Sequence, residues 1–264
     1  MRLFFACSNL VYRNQLLQND VRNILIAYPY AKENLLKHFD WYIEQIDNVN
    51  LLIDSGAFSV WTLGEVIRVE DYTDFCKMML KRYEGKLNSC HIVNLDKIPG
   101  EFGRKPNQAE IEDSAQVGRN NFHYMLKRGI TTIPVFHQHE ESKWLELMKN
   151  EVDYIGISPA NDVDTKNRMI WMDGVYYDLK ADYKTHSFGG IADSILKRYP
   201  LFSGDSSSWT NWARWGKGTK HHLKGWVTNQ PEAVKHMMAK DVAKYKQTEE
   251  FITNLWKERG VVWE

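Results

Sequence analysis

Short apolar runs alternate along the chain with longer amphipathic stretches. The runs cover residues 3–6, 24–27, 51–53, 91–95, 132–136, 154–157, 184–188 and 201–202. Apolar residues recur at helical spacing in 33–45, 69–83, 109–127, 142–151 and 191–199, and a last long stretch covers 231–259. This alternation of strand and helix patterns predicts a parallel sheet with helical crossovers.

Eight candidate strands favour a closed barrel. We therefore predict an α/β fold in which residues 1–264 form a single (β/α)₈ TIM-type barrel with a long C-terminal helix. An open, doubly wound sheet is the alternative. The stretch 161–182 fits either a helix or a lid over the pocket. The sequence contains no Gly/Ser-rich linker or tandem repeat, so one domain is the simplest organisation.

Composition narrows the classes of partner and compartment. The 264 residues carry 34 basic and 34 acidic side chains, so any contact with nucleic acid must come from a local patch. Cys7, Cys76 and Cys90 include no C-x-x-C pair, which predicts neither a disulfide framework nor a thiolate zinc site. We expect a cytoplasmic protein, in the host cytoplasm if a phage encodes it. No apolar run is long enough to predict a membrane span.

Polar side chains follow most of the apolar runs. They are Asp54, Asp96, His137 with Gln138, Ser158, His186 and Asp205. In a parallel barrel the carboxyl ends of all strands lie on one face, where catalytic groups collect. A carboxylate at the edge of a buried strand has its pKa tuned by desolvation and by neighbouring charges. The pattern therefore predicts an active site on this face.

Each of these residues also has a structural interpretation. Asp54 could cap the turn that follows it, and Asp96 could form a surface ion pair with Lys97. Asp205 could cap a helix over residues 208–215. The histidines could be buried structural groups. The occurrence of all of them on one predicted face favours a shared functional site.

The motifs around these residues resemble a known family. The segment Asp54-Ser55-Gly56-Ala57-Phe58 resembles the Asp-Ser-Gly-Gly-Phe signature of the tRNA-guanine transglycosylases. Other segments follow in that family's order. They are Asn94-Leu95-Asp96 at its base-reading aspartate, Val135-Phe136-His137-Gln138 at its Gln-Gly strand end, Gly156-Ile157-Ser158 and Phe188-Gly189-Gly190 at its glycine-containing strand ends, and Gly204-Asp205-Ser206-Ser207-Ser208-Trp209 at its nucleophile.

The last motif, with His186-Ser187-Phe188-Gly189, looks closer to the phage and bacterial branch that inserts 7-deazaguanines into DNA. Three departures from the tRNA enzymes agree with this. No cysteine follows Cys90 to form their zinc site, the chain is shorter, and Ala57 replaces the second glycine of the signature. The resemblance therefore implies DNA rather than tRNA as the polymer partner.

The resemblance also implies a role for each residue. Asp205 would attack the sugar and form a covalent glycosyl-enzyme intermediate, and Asp54 would handle the protons of the leaving and entering bases. Asp96 would read the Watson–Crick edge of the purine, while Gln138 and backbone N–H groups around Gly156 would donate to its O6 and N7. The remaining pocket residues would be Ser55, Gly56, Asn94, His137, Ser158, His186, Gly189, Gly190, Ser206 and Trp209. The small-molecule partner would be a free 7-deazaguanine base resembling preQ0, and the reaction requires no metal or redox cofactor.

Residues 208–226 combine tryptophans with basic side chains and contain no acidic residue. The nucleic-acid candidates in and beside this stretch are Trp212, Arg214, Lys217, Lys220 and Lys224. Aromatic rings among cations are typical of surfaces that bind an extruded base. The alternative is a helix whose tryptophans pack on the barrel, followed by a solvated basic loop.

Two other functions remain open at this stage. His137, His139, His186 and Asp205 could form the metal site of a barrel hydrolase, because a His-x-His pair is a common ligand spacing. The barrel could also be a non-catalytic nucleic-acid-binding subunit. The sequence leaves open whether an accessory protein supplies the substrate.

Overall fold

The computed structural model describes residues 1–8, 10–160, 163–215 and 231–263. The strands are β1 (Arg2–Cys7), β2 (Asn23–Ala27), β3 (Asn50–Asp54), β4 (Ser89–Ile92), β5 (Val135–His137), β6 (Tyr154–Ser158), β7 (Lys184–Ser187) and β8 (Ser203–Ser206). The helices within these residues are α1 (Arg13–Leu17), α2 (Glu33–Gln45), α3 (Ala57–Leu63), α4 (Val69–Arg82), α5 (Gln108–Leu126), α6 (Ser142–Lys149), α7 (Thr165–Leu179), α8 (Asp193–Arg198), α9 (Asn211–Trp215) and α10 (Pro231–Glu258). Short 3₁₀ helices cover Tyr28–Tyr30 and Ser208–Thr210.

The strands form one parallel sheet that closes on itself. Among the described strands, each pairs with the one that follows it in the chain except β4 with β5, and β1 pairs with β8. Between β4 and β5 the connection is a parallel bridge from Val93 to Ile133, supported by a 2.7 Å hydrogen bond from Ile133 N to Ile92 O and a 2.9 Å bond from Asn94 N to Ile133 O. The predicted barrel with a long C-terminal helix is confirmed.

Alternation along each strand divides the core into an inner and an outer part. Phe4, Leu25 and Leu52 point into the barrel, whereas Phe5 and Ile24 face the helices. The helices cover the outer face with apolar stripes; in α2 the stripe consists of buried residues one helical turn apart. The barrel interior is therefore a packed core up to the ends of the strands.

The position of the last strand differs from the sequence prediction. The last strand was expected at 201–202, but β8 begins at Ser203, and Leu201 and Phe202 are buried just before it. The polar sequence Ser-Gly-Asp-Ser hides this strand, because its inward residues belong to the site rather than to an apolar core. In the stretch 161–182, which was left open, α7 forms a helix, and residues 161 and 162 lie outside the described part. No helix among the described residues is long and apolar enough to cross a membrane.

Candidate active site

The three aspartates lie at the carboxyl ends of their strands and point towards the barrel axis. Asp54 is in register with Ala27, and Asp205 is in register with Phe4; Ala27 and Phe4 both belong to the inner core. Register neighbours in a parallel sheet face the same side, so both carboxyl groups face inward. Asp96 follows the Val93 bridge at the end of β4. The predicted gathering of carboxylates at one end of the barrel is what the structure contains.

Asp54 is held in the turn that begins α3. Its Oδ2 accepts a 3.0 Å hydrogen bond from the N–H of Gly56, so it also caps the turn, as the structural interpretation proposed. Burial raises the pKa of Asp54 to about 7, and the charges of Asp205 and Asp96 add to this effect. A carboxyl group that titrates near neutral pH can both donate and accept a proton.

Asp96 contacts side chains from two neighbouring strand ends. Its Oδ1 accepts a hydrogen bond of 3.3 Å from Ser55 Oγ, and its Oδ2 lies 2.8 Å from Nε2 of the buried His137. This contact is an ion pair when the imidazole is protonated. Burial opposes protonation of His137, but the carboxylate of Asp96 outweighs it and raises the pKa of the imidazole. The surface ion pair suggested between Asp96 and Lys97 is not formed, since Lys97 binds Asp113.

Glu140 is a buried acidic residue that the sequence analysis did not single out. Its Oε2 accepts a 3.2 Å hydrogen bond from the backbone N–H of His137. Burial raises the pKa of Glu140 to about 7, although the nearby His137 lowers it. The only signal in the sequence is its position three residues after the end of β5, which gives no reason to expect burial.

A chain of hydrogen bonds inside the barrel ends at Asp205. The phenol of Tyr154 lies 2.6 Å from Ser203 Oγ, which lies 2.6 Å from Nδ1 of His186. Nε2 of His186 is 3.3 Å from Oδ1 of Asp205. Because a carboxylate only accepts, Nε2 carries a proton towards Asp205, and in a neutral imidazole Nδ1 then accepts from Ser203. His186 is fully buried and orients the carboxylate of Asp205 from below.

A cavity of about 930 Å³ opens at the carboxyl ends of the strands. Seven of the residues expected in the catalytic site or pocket line it: Asp54, Asp96, His137, Gln138, Ser158, Gly189 and Asp205. The Oε1 of Gln138 accepts a 2.9 Å hydrogen bond from Ala160 N, which leaves the Nε2 amide as the group that can donate into the cavity. The structure thus brings the carboxylates and an amide donor into one space.

Other predicted pocket residues stand behind the cavity wall. Ser55, Gly56, Asn94, Gly156, His186, Gly190 and Ser206 are not among its lining residues. The N–H of Gly156 donates to Pro134 O in the sheet at 2.8 Å, so this N–H group does not point to the purine; the expectation for the N–H groups around it stays a prediction. Asn94 binds Gly118 O in α5 through Nδ2 at 2.8 Å, which turns it away from the base-reading position. Ser206 donates to Tyr245 of α10 at 3.4 Å.

The glycines in this set have packing roles. A Cβ on Gly156 would come within 2.7 Å of the Phe188 ring, which lines the cavity. Gly190 lies against Ser187, whose hydroxyl donates to the carbonyl of Gly190 at 3.2 Å. Both positions therefore shape the wall behind the pocket without facing it.

The tryptophans placed on the predicted nucleic-acid patch are buried. Trp209 is 0% exposed, donates from Nε1 to Ala6 O at 3.1 Å and packs edge-on against Phe5. Trp212 is 1% exposed in the same outer core. The prediction that Trp209 binds substrate and Trp212 binds nucleic acid is wrong, because rings enclosed by the core cannot stack on a base. The alternative, in which the tryptophans pack on the barrel, is correct for both. Arg214 is exposed and lines the cavity, while Lys217, Lys220 and Lys224 lie outside the described residues.

The ligand set of the metal-dependent hydrolase is not assembled. His137 and His139 both line the cavity, but the two ring nitrogens of His186 face Ser203 and Asp205. Within 1–8, 10–160, 163–215 and 231–263, no group of three or more His, Cys, Asp or Glu residues is arranged to hold a metal ion. The geometry of these side chains therefore does not favour that alternative.

The sequence analysis also missed an aromatic wall beside the carboxylates. Phe58 and Trp61 of α3 and Phe102 of the loop after β4 line the same cavity, together with Tyr30. Apolar residues in a short helix look like core in a sequence, so their exposure could not be predicted from the pattern.

Comparisons of the chain with protein-family models and with curated proteins give no match.

Proposed function

We propose that this protein is a nucleic-acid guanine transglycosylase that exchanges guanine for a 7-deazaguanine base. The observation that carries the proposal is the opening of Asp54, Asp96 and Asp205 into one cavity at the carboxyl ends of the barrel strands. Base exchange needs a nucleophile, a proton donor and acceptor, and an acceptor for the purine edge. Carboxyl groups in three different environments can supply these three functions.

Asp205 is the nucleophile in this proposal. An oxygen of its carboxylate attacks C1′ of the target nucleotide, and the bond between C1′ and N9 of guanine breaks with its electron pair leaving on the purine. The reaction passes through a sugar with oxocarbenium character, which the carboxylate stabilises before it forms the covalent bond. The His186 Nε2–H, 3.3 Å from Oδ1, keeps the carboxylate oriented.

Asp54 moves the proton. With a pKa of about 7 it donates a proton to the leaving purine and then accepts the N9 proton of the entering base. The entering base attacks C1′, and the bond to Asp205 breaks, which restores the free carboxylate. A non-catalytic binding subunit has no need for a carboxyl group whose pKa is raised by burial and by two neighbouring carboxylates, so this feature favours an enzyme.

Asp96 accepts the N1–H and exocyclic amine of the purine, and Nε2 of His137, 2.8 Å from its Oδ2, holds the carboxyl group in position. Gln138 donates from its amide to the purine O6. A 7-deazaguanine presents the same Watson–Crick edge, so one pocket serves both bases. DNA is favoured over tRNA as the polymer on the sequence motifs alone, and we assign the reaction to the cytoplasm.

The decisive experiment follows radiolabelled guanine into polymer. The protein is incubated with labelled guanine and, in separate reactions, guanine-containing DNA or tRNA. We expect label in DNA, and we expect Asp205→Asn to abolish its incorporation. Asp193→Asn is the matched control, because this exposed aspartate of α8 makes only a 3.9 Å contact with Lys197.

Label in tRNA alone would reassign the polymer. Retention of full incorporation by Asp205→Asn would contradict the proposed nucleophile. Absence of label in both polymers, with folded protein and with 7-deazaguanine bases also tested as entering substrates, would contradict base exchange.

A further inference from the structure

Phe58, Trp61 and Phe102 form a continuous group of rings at the edge of the cavity, here called the aromatic rim. The ring centroids of Phe58 and Trp61 are 5.9 Å apart, and those of Trp61 and Phe102 are 5.3 Å apart at an angle of 88°. Phe58 is 47% exposed and Phe102 is 61% exposed. All three line the cavity that contains the three aspartates.

The rim is fixed in place by contacts between α3 and the loop after β4. The indole Nε1 of Trp61 donates to Gly100 O at 2.8 Å, which ties the helix to the loop. Gly100 has a φ of +73°, and a Cβ there would come within 3.0 Å of Pro106, so the turn that carries the acceptor depends on glycine. A ring held in this way loses little conformational entropy when a ligand stacks on it.

The size of the cavity shows that it is not shaped for one base alone. About 930 Å³ lies at the upper end of the range of about 300–1,000 Å³ in which pockets enclose whole drug-sized ligands. The carboxylates occupy the inner end of this space, and the rim occupies its border. A nucleotide whose base reaches Asp96 therefore has neighbours in its strand at the level of the rim.

Two guanidinium groups line the cavity that the rim borders. Arg104, two residues after Phe102, lines the cavity and forms ion pairs with Glu101 and Glu110. Arg214 lines it as well and donates to Ser8 Oγ at 3.3 Å. Aromatic faces beside guanidinium groups are the arrangement that binds unpaired nucleic acid without base-specific hydrogen bonds.

We propose that Trp61 and Phe102 form a stacking platform for the bases that flank the target nucleotide in an unpaired strand. The inference rests on the proposed base exchange and adds to it the form of the substrate: a single-stranded or locally opened segment rather than an intact duplex. Stacking on an aromatic ring does not depend on base identity, so the platform holds the strand and the aspartates choose the base.

Binding of fluorescein-labelled oligonucleotides of about 12 nucleotides, followed by fluorescence anisotropy, tests the platform. The probes are single-stranded DNA, single-stranded RNA and the corresponding DNA duplex, each measured in the Asp205→Asn background so that no exchange occurs. We expect tighter binding of a single strand than of the duplex. Trp61→Ala and Phe102→Ala should each weaken single-strand binding about 10-fold, and Trp61→Phe should weaken it less.

Tyr177→Ala is the matched control, because this tyrosine of α7 is 81% exposed and does not line the cavity. Because Phe102 is exposed, Phe102→Ala should disturb the folded state least of the rim variants. Thermal melting of each variant verifies that it is folded. Comparison of the DNA and RNA probes identifies which strand the platform prefers.

Unchanged single-strand affinity in folded Trp61→Ala and Phe102→Ala would overturn the platform. So would a loss of concentration-dependent self-association in these variants without a loss of oligonucleotide binding, since a second copy of the chain would then cover the rim. The two proposals fail separately: label incorporation with unaltered oligonucleotide affinity removes the platform alone. Weakened binding in the rim variants without any incorporation by the wild type removes base exchange alone.

Discussion

At the scale of single residues, the clearest effect of the surroundings is on the pKa of Asp54. Its pKa of about 7 comes first from burial and then from the charges of Asp205 and Asp96, so the three carboxylates act as one electrostatic unit. In the proposed reaction, Asp54 exchanges a proton with the purine near neutral pH. The same arrangement has an energetic cost, because a buried carboxylate beside two others is unfavourable when it is ionised.

This cost predicts a pH-dependent effect of Asp54→Asn on stability. The folded pKa of about 7 exceeds the ordinary value of 3.8, so the folded state binds more protons between these values. The stability that protonated Asp54 contributes to the wild type is therefore fully present below the lower pKa and is lost as pH rises through the higher one. The amide does not titrate, so in urea unfolding the free energy of unfolding of Asp54→Asn, relative to that of the wild type, should rise by about 2–4 kcal/mol from pH 4 to pH 8.

The exposed Asp193→Asn variant provides the comparison and should show no such increase. A difference for Asp54→Asn that stays constant across this range would show that the carboxyl group has an ordinary pKa in the folded protein. Its assignment as the proton-transferring group would then lose its physical basis.

The sequence predicted the carboxylates of the site but not the contacts that set their chemistry. Asp54, Asp96 and Asp205 each follow or end an inward-facing strand pattern, which could be read from the chain. The ion pair between Asp96 and His137 and the burial of Glu140 join separate strand ends. Such contacts depend on the closure of the barrel, which a local pattern does not describe.

At the scale of elements, the turn into α3 positions both an acid and the aromatic rim. Gly56 has a φ of +77°, and a Cβ there would overlap Cδ and Cγ of Pro29 in the neighbouring 3₁₀ helix. Asp54 lies immediately before this turn, and Phe58 and Trp61 lie immediately after it. The conformation of one glycine therefore connects the chemistry of the site with its outer wall.

Replacement of this glycine should be costly for steric reasons. Gly64 at the end of α3 has a similar φ of +67° but nothing within 4 Å of an added Cβ. Gly64→Ala should therefore lower the free energy of unfolding by about 1–2 kcal/mol through backbone strain alone. Gly56→Ala should lower it by a further 1–3 kcal/mol or so, because the Pro29 ring must also move.

Chemical denaturation of both variants measures this difference, and the label-incorporation assay measures its functional effect. We expect Gly56→Ala to lose incorporation and Gly64→Ala to retain most of it. Equal destabilisation of the two variants would contradict the close approach of Pro29.

Most elements could be predicted because their patterns are strong. Helix α2 begins and ends where its apolar spacing indicates, since burial of one stripe determines its extent. Strand β8 was placed too early because its inward residues are polar. The buried Trp209 and Trp212 were assigned to a surface because aromatic rings among basic residues have the same sequence pattern in a core helix and in a binding site.

At the scale of the whole molecule, the two ends of the barrel differ in chemistry. The amino-terminal end is closed by a hydrogen-bonded network centred on Glu249 of α10, whose Oε1 accepts from Leu3 N at 2.9 Å and from Asn23 Nδ2 at 2.7 Å. Asn50 continues the network by donating to Asn23 Oδ1 at 2.8 Å. The C-terminal helix thus joins the first strands at the closed end, and the opposite end holds the cavity.

The barrel itself could be predicted because alternating patterns and eight strands leave few topologies. The hydrogen-bonded network at its closed end could not be predicted, because Glu249 and Asn23 are more than two hundred residues apart in the chain. Each of them looks like an ordinary surface residue in the sequence. The candidate site lies at the carboxyl end, where barrel enzymes generally carry their active sites. The central claim, chemistry through Asp205 at this end, can be tested on the intermediate itself.

That test is denaturing gel electrophoresis of the protein after incubation with an end-labelled, guanine-containing single-stranded oligonucleotide and no free base. Covalent attachment of the sugar to Asp205 predicts a labelled protein band that survives denaturation and disappears when guanine is added before the denaturant. Asp205→Asn should give no band, and Asp193→Asn should give the wild-type band. A band of wild-type intensity with Asp205→Asn, or base exchange by the wild type without any trapped adduct, would contradict the proposed mechanism.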